Sequence, residues 1–414
     1  MNTVNKNDGI PKMQIVIVVL NATATFLASI AMGMSTIIIP VTLQHYNVTV
    51  TMIGVIMAIQ TFVSLLAGFY FPASVRFFGM RRGLVLTTVL RVPPLLVLAF
   101  TSNIYIWIVA IFINGAGYFA FLMLLQTWIS GINFKSNKGL MVSIYSTAIS
   151  VGLAIGPIVL AFSDDISPMI LPFFKSVITH VGLAVQSTPY EAKNQFNFIL
   201  SGLFSLAALI PVLIGLSLVP DFKFDGKAHI WKTITHAKGP MFAIAMGGVS
   251  FFGVCTFITL YGIKNNLPLN ESALLLTCFM MGSVLLETPL TWISDFIDRR
   301  YVIVIASFLS MVCAVYLPIA IYVTYQAYIL LFLWGGVIGA VYSTSLALIG
   351  DKYTGQELIA ANAGYSVMEA AGGVAGTLLI GFAMDLLGSD GLPYVIMLSS
   401  ILYFSFALTR YKVV

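Results

Sequence analysis

Twelve runs of about twenty apolar residues, separated by short polar breaks, leave this chain few ways to satisfy its own backbone. Inside hydrocarbon no water is available to bond a peptide N–H or C=O, so a run that long crosses a core of about 30 Å as a helix. The runs cover 13–40, 50–71, 82–101, 104–130, 139–162, 196–219, 239–262, 269–291, 301–323, 326–350, 359–384 and 391–410. Only 8% of the 414 residues are charged and 59% are apolar, where soluble proteins carry about 25% charge. The fold class is an all-α membrane protein of twelve transmembrane helices. The first run is too long for a signal-peptide core and has no small-residue cleavage pattern, so it is expected to be retained as helix 1.

The net charge of +5 raises nucleic acid as a partner, but the placement of the charge excludes it. With the N-terminus inside, 16 of the 20 Lys and Arg residues face the cytoplasm; the others are Lys175, Lys193 and Lys264 outside and Arg91 within a span. That asymmetry is the mark of membrane orientation. The segment Ser163–Gln195 is apolar enough in its middle to suggest a thirteenth span. An extra crossing would move Arg299, Arg300 and Lys352 outside, so it is read as an outer loop with an interfacial piece. Cys255, Cys278 and Cys313 fall within spans and suggest no disulfide framework.

The chain also repeats itself. Arg76, Gly79, Arg81 and Arg82 close one short turn, and Asp295, Asp298, Arg299 and Arg300 close another 219 residues later. Gly33 with Gly253, Gly115 with Gly335, Gly152 with Gly372 and Gly156 with Gly376 are pairs at an offset of 220. Two homologous six-helix halves follow, residues 1–219 and 239–414, joined by a basic cytoplasmic connector at 220–238. A duplicated membrane bundle is the plan of a carrier whose site lies between its repeats.

The two turns resemble the signature of the major facilitator superfamily, Gly-x-Leu-Ala-Asp-Arg-x-Gly-Arg-Arg between helices 2 and 3, with its weaker copy between helices 8 and 9. The second copy fits better here: Asp295 holds the acidic place and Arg299 and Arg300 the basic ones, whereas Arg76 stands at the acidic place of the first. Gly152-Leu-Ala-Ile-Gly156-Pro157 resembles the family's helix 5 antiporter motif, with Ser143, Leu160 and Ala161 where further glycines are usual. The helix 4 Arg of many proton-coupled members would fall near Ile111 and is absent. The resemblance spans the whole chain and implies the superfamily fold, alternating access, and a cavity lined by helices 1, 4, 7 and 10. On those helices stand Asn21, Asn114, Tyr118, Gln126, Trp128, Phe251, Phe252, Trp334 and Tyr342. Aromatics with a few amides suit an amphipathic organic solute, and ordinary packing or interfacial anchoring explains any one of them as well, Trp128 above all.

Three ionisable groups lie within the spans, where each is costly unless paired or hydrated. Glu369 sits ten residues into its helix, about 15 Å along, near the midplane; it is either a proton-carrying carboxyl or a hydrogen-bonded packing residue. Glu287 stands eight residues before Asp295 and either joins the ion network of that turn or meets substrate or protons. Arg91 precedes Pro93-Pro94, which should kink its helix, and is expected in a helix-to-helix ion pair. Gly152, Gly156, Pro157, Gly372 and Gly376 form small-residue ridges for close helix packing.

Enzyme signals are missing. His45, His180, His229 and His236 lack metal-ligand spacing, and neither Gly-x-x-x-x-Gly-Lys nor Gly-x-Ser-x-Gly occurs. The expectation is a secondary transporter of a small organic solute, without cofactor, monomeric, in the cell membrane (the inner one in a Gram-negative bacterium). Proton-coupled efflux leads, and nutrient uptake is the alternative. An intramembrane enzyme would need a catalytic pair at matched depth, and a non-transporting sensor an added soluble module; the sequence shows neither. Membrane-impermeant reagents should label a cysteine at Lys175 but not one at Lys227 in intact cells; labelling of Lys227 contradicts the topology.

Overall fold

The computed structural model describes residues 12–130, 138–163, 189–219, 234–294, 296–353 and 355–411. Its twelve helical elements are α1 (Lys12–His45), α2 (Val50–Phe78), α3 in two arms (Met80–Leu90 and Val92–Phe100), α4 (Ile104–Ser130), α5 (Lys138–Ala161) and α6 in two arms (Pro189–Ala207 and Leu209–Gly215), then α7 (Lys238–Lys264), α8 (Leu269–Ile293), α9 (Arg299–Ala320), α10 (Thr324–Lys352), α11 (Gly355–Leu386) and α12 (Gly391–Tyr411). Among the described residues eleven stretches are long and apolar enough to cross a membrane, with Val50–Leu66 as a shorter apolar helix. The centre of the outer loop (164–188) and most of the connector (220–233) lie outside the described residues, as does Asp295.

Local chemistry sets the breaks. The α3 break at Arg91 follows from Pro93 and Pro94, which lack the N–H groups that would bond the carbonyls of residues 89 and 90. Asn114 in α4 donates its side-chain amide to the Arg91 carbonyl at 3.2 Å and so satisfies one acceptor at the kink. The turns after α1 and α7 are alike. Asn47 (φ 57°) and Asn266 (φ 66°) adopt the left-handed conformation Asn tolerates. Behind each, an N–H reaches back five residues, Val48 to Leu43 and Leu267 to Gly262, both at 3.0 Å.

The paired glycines sit at equivalent contacts. A methyl on Gly152 of α5 would come within 2.6 Å of the Phe26 carbonyl of α1, and one on Gly372 of α11 would strike the Ala245 carbonyl of α7. Gly156 and Gly376 repeat this one turn on, at 2.6 Å from Met34 and 2.7 Å from Val249. Gly115 of α4 abuts Gln60 of α2, and Gly335 of α10 abuts Phe279 of α8. Substitution at these places, Gly115 with its flexible Gln60 neighbour excepted, must push backbones apart.

The two helix sets meet on the outer side. One core cluster runs through both, from Ile37, Leu43, Ile53 and Trp107 to Phe257, Tyr261, Leu276 and Leu317. Toward the cytoplasm the described core divides: Tyr118, Phe121, Leu125 and Trp128 belong to a cluster confined to the first set. Met241, Ile349 and Tyr365 belong to one confined to the second. Polar bonds cross the outer seam too. Thr277 of α8 donates to the Ala154 carbonyl of α5 at 3.3 Å. Asp385 at the outer end of α11 accepts from Val50 N (3.0 Å), Thr51 N (2.7 Å) and Thr51 Oγ1 (2.6 Å), capping α2 from the other half. Thr49 caps the same helix locally through Met52 N at 3.3 Å, so α2 keeps a cap when Asp385 leaves.

Hydrogen bonds to charged groups contribute about 1.5–3 kcal/mol each when buried, and less at a wet site such as this. Asp385→Ala should therefore raise, by about tenfold, the rate at which an impermeant maleimide applied from outside reaches a cysteine placed at Thr277. An unchanged rate would show that Asp385 does not hold the seam.

Candidate functional site

Side-chain exposure shows which surface meets water. On α3, α6, α9 and α12 the exposed residues are large and apolar, among them Leu86, Ile210, Phe308 and Leu402, as lipid contact demands. In the cytoplasmic parts of α1, α4, α5 and α11 the exposed residues include Thr23, Gln126, Ser146, Thr147, Asn362 and Ser366. Exposed polar groups at that depth line an aqueous cleft between the two helix sets. With the outer seam closed, the cleft opens to the cytoplasm.

Its apex is set by contact across the halves. An added methyl on Gly373 of α11 would lie 2.5 Å from the Phe252 ring of α7 and 2.9 Å from Thr61 of α2. Glu369 stands one helical turn to the cytoplasmic side, about 5–6 Å along α11. Its backbone presses on Gly248 of α7, and its side chain is half-buried. Among the described residues its carboxyl has no hydrogen-bond or ion-pair partner.

Glu287, also half-buried, faces α10 rather than the cytoplasmic turn. It accepts from Ser283 at 3.3 Å and from Ser343 by a short bond, and the space beside Gly339 is filled by its carboxylate. The acid of the cytoplasmic turn, Asp295, lies outside the described residues. At that turn Asp298 caps α9 through Arg300 N at 2.9 Å, and Arg299 pairs across to Asp351 of α10 at 2.7 Å. In the first copy, Arg81 Nε donates to the Val219 carbonyl at 3.1 Å, Gly79 takes φ 72°, and Arg76 and Arg82 are exposed.

Between the two glutamates lie tyrosines. Tyr342 of α10 is within electrostatic reach of both carboxyls. Its ring meets that of Tyr365 edge-on at 5.3 Å, and the Tyr365 hydroxyl donates to the Tyr342 carbonyl at 2.5 Å. Tyr145 of α5, whose hydroxyl donates to the Leu122 carbonyl at 2.8 Å, senses both Tyr118 and Tyr342.

Arg91 is where sequence and structure part most clearly. It is 1% exposed and has no carboxylate partner among the described residues. One guanidinium nitrogen, Nη2, donates to the Ala28 carbonyl at 3.0 Å. The charge stands over Tyr118 at 5.0 Å and Phe121 at 5.8 Å, while Nε and Nη1 are buried with no hydrogen-bond partner among the described residues. Cation–π contact and one carbonyl replace the expected ion pair.

Of the remaining cavity expectations, Gln126, Phe252 and Tyr342 fall on the cleft. Tyr118 backs it, bonded to Ser29 at 3.2 Å. Asn21 is tied to the Leu125 carbonyl at 2.9 Å and wholly buried, and Phe251 packs outward against Phe279. The Trp334 indole donates to Ser310 of α9 at 2.9 Å, away from the cleft. Trp128 is buried against Gly215. Tyr365 was within reach of sequence reasoning, being four residues before Glu369 and so on its face. Tyr145 and Asp385 gave no such signal. Among the described residues no group of three or more His, Cys, Asp or Glu could hold a metal.

Comparison with known proteins agrees with this architecture. The sequence pattern described as Major Facilitator Superfamily matches residues 22–269 and 240–413. A Bacillus subtilis (strain 168) protein described as the uncharacterized MFS-type transporter YfkF is 22% identical over 350 residues, 81% of this chain and 80% of that one. Among solved structures, the nucleoside transporter NupG superposes with a TM-score of 0.73 at 10% identity, covering 95% of this chain and 99% of its own. A bacterial homolog of the human lysosomal transporter Spinster, inward-facing and occupied, gives 0.74 at 9% identity and 97% coverage of both chains. These identities speak to the fold alone. With twelve apolar helices around an aqueous cleft and a pattern match along nearly its whole length, the chain belongs to the Major Facilitator Superfamily, as a multi-pass transporter of the cell membrane and not an enzyme.

Proposed function

We propose that this transporter exports a small amphipathic organic solute in exchange for protons, with Glu369 as the coupling carboxyl. The observation that carries the reading is the placement of Glu369: half-buried at the cleft apex, one turn from the cross-half contact at Gly373, and without a partner among the described residues. A carboxyl so placed is neutral when sealed from water and can release its proton when hydrated, as coupling requires. Residues 1–219 and 239–414 move as two bodies about the apex, joined by the 220–238 connector, and the protein works as a monomer.

The wall around the apex also favours one kind of cargo. Glu287 and Glu369 lie near Tyr342 and Tyr365, and among the described residues no Lys or Arg is paired with either carboxyl. Two carboxyls beside aromatic rings draw a protonated amine with an apolar body more than an anion or a sugar. Export rather than uptake rests on the Gly152 and Gly156 ridge, which resembles the antiporter motif and lets α5 slide closely on α1.

A metabolite screen of cells with and without the gene, with a protonophore control, identifies the solute and its direction. In proteoliposomes loaded with that solute, Glu369→Gln should abolish transport driven by a proton gradient, while solute exchange at equal pH survives within about threefold. Normal gradient-driven transport in the variant would remove Glu369 from the coupling role.

A further inference from the structure

A second recess lies away from the cleft, at the cytoplasmic ends of α7, α9, α10 and α12, with a volume of about 1100 Å³. Four cations stand on its walls: Lys238, Arg299, Arg300 and Lys352. Against them stand Asp298 and Asp351, and both are engaged. Asp298 accepts from the Arg300 backbone at 2.9 Å, and Asp351 holds Arg299 at 2.7 Å. Lys352 donates to the His236 carbonyl at 2.9 Å and lies over the Tyr353 ring at 5.6 Å. Lys238 and Arg300 are exposed, with no side-chain acceptor among the described residues. Among the described lining residues these four cations face two carboxylates, so the balance is positive.

Deeper in the same recess the lining turns apolar, with Ile303, Leu348 and Phe406. Exposed Trp292, Phe296 and Tyr301 flank the α8–α9 turn, as aromatic residues do at headgroup level. The recess therefore combines a cationic rim at the depth of lipid phosphates with an apolar floor at the depth of the first acyl carbons. Gly239 leaves open space on one side, since a methyl there would meet nothing within 4 Å.

From these features we infer that the recess is a binding site for an anionic phospholipid of the cytoplasmic leaflet, its phosphate held by Lys238 and Arg300 and its acyl chain lying against Ile303, Leu348 and Phe406. A zwitterionic lipid brings an ammonium into a rim that is already positive, and a free phosphate leaves the apolar floor uncovered. The site is separate from the cleft and does not depend on what the cleft carries. It meets α9 and α10 where Arg299 and Asp351 join them, so occupancy would brace the turn between α8 and α9.

The test is native mass spectrometry of the full-length protein in detergent, with phosphatidylglycerol, phosphatidylcholine or inorganic phosphate added at matched concentration. Phosphatidylglycerol should be retained at least about tenfold better than phosphatidylcholine, which corresponds to about 1.4 kcal/mol, and excess inorganic phosphate should not displace it. That preference should vanish in Lys238→Gln/Arg300→Gln. It should vanish also in Gly239→Trp, which fills the recess and keeps every charge, so that a folding defect of the first variant is not mistaken for lost binding. Equal retention of the two lipids, displacement by inorganic phosphate, or undiminished phosphatidylglycerol in both variants would each overturn the assignment.

Discussion

An ionisable side chain in hydrocarbon is costly by several kcal/mol unless it is paired, hydrated or neutral, and much of this structure follows from how three such groups are accommodated. Arg91 is buried under two aromatic rings with one carbonyl bond. Glu287 is held by two serines. Glu369 has neither among the described residues and stands half-buried at the cleft, where hydration or a proton must meet its cost. A state that withdrew the water would have to supply a proton or a cation. The same constraint, applied to backbone groups, makes every crossing helical and sends the remaining charge to the membrane edges.

Movement of such a protein is limited by how its helices touch. Where α1 meets α5 and α7 meets α11, glycines bring backbone against backbone, which gives smooth surfaces with few side chains to unlock. Across the outer seam hydrogen bonds stand beside such packing: Asp385 on the N-terminus of α2 and Thr277 on the Ala154 carbonyl, next to Gly54 of α2 against Gly381 and the Thr377 carbonyl of α11. Those bonds can be exchanged for water at little net cost.

The sequence carried the architecture clearly because period, length and charge asymmetry are local properties. The apolar runs mark the helices within a few residues; α1 continues to His45, five residues past its apolar run, because its last turn is polar yet still capped by the Asn47 turn. The glycine pairs at offset 220 were legible as a repeat and occupy equivalent contacts. Partners of the buried polar groups were less legible, since they depend on helix rotation, which a single sequence leaves undetermined. Arg91 illustrates this: its depth and the Pro93-Pro94 kink could be read off, its turn toward Tyr118 could not. Trp334 illustrates the converse, an aromatic on a cavity-lining helix that points to Ser310 instead. Glu287 and Glu369 could be picked out singly; that Tyr342 lies near both is a property of three helices packed together.

The central claim is that closure of the outer seam and opening of the cytoplasmic cleft are one motion linked to protonation at the apex. Paired spin labels test it directly, one pair at Ser146 and Ser366 across the cytoplasmic mouth and another at Asn103 and Tyr322 on the outer side. Distance distributions measured as pH is lowered should move in opposite senses, one pair shortening as the other lengthens, and should stop responding to pH when Glu369 is replaced by Gln. Distances that move in the same sense, or that respond to pH equally with and without Glu369, would contradict the account.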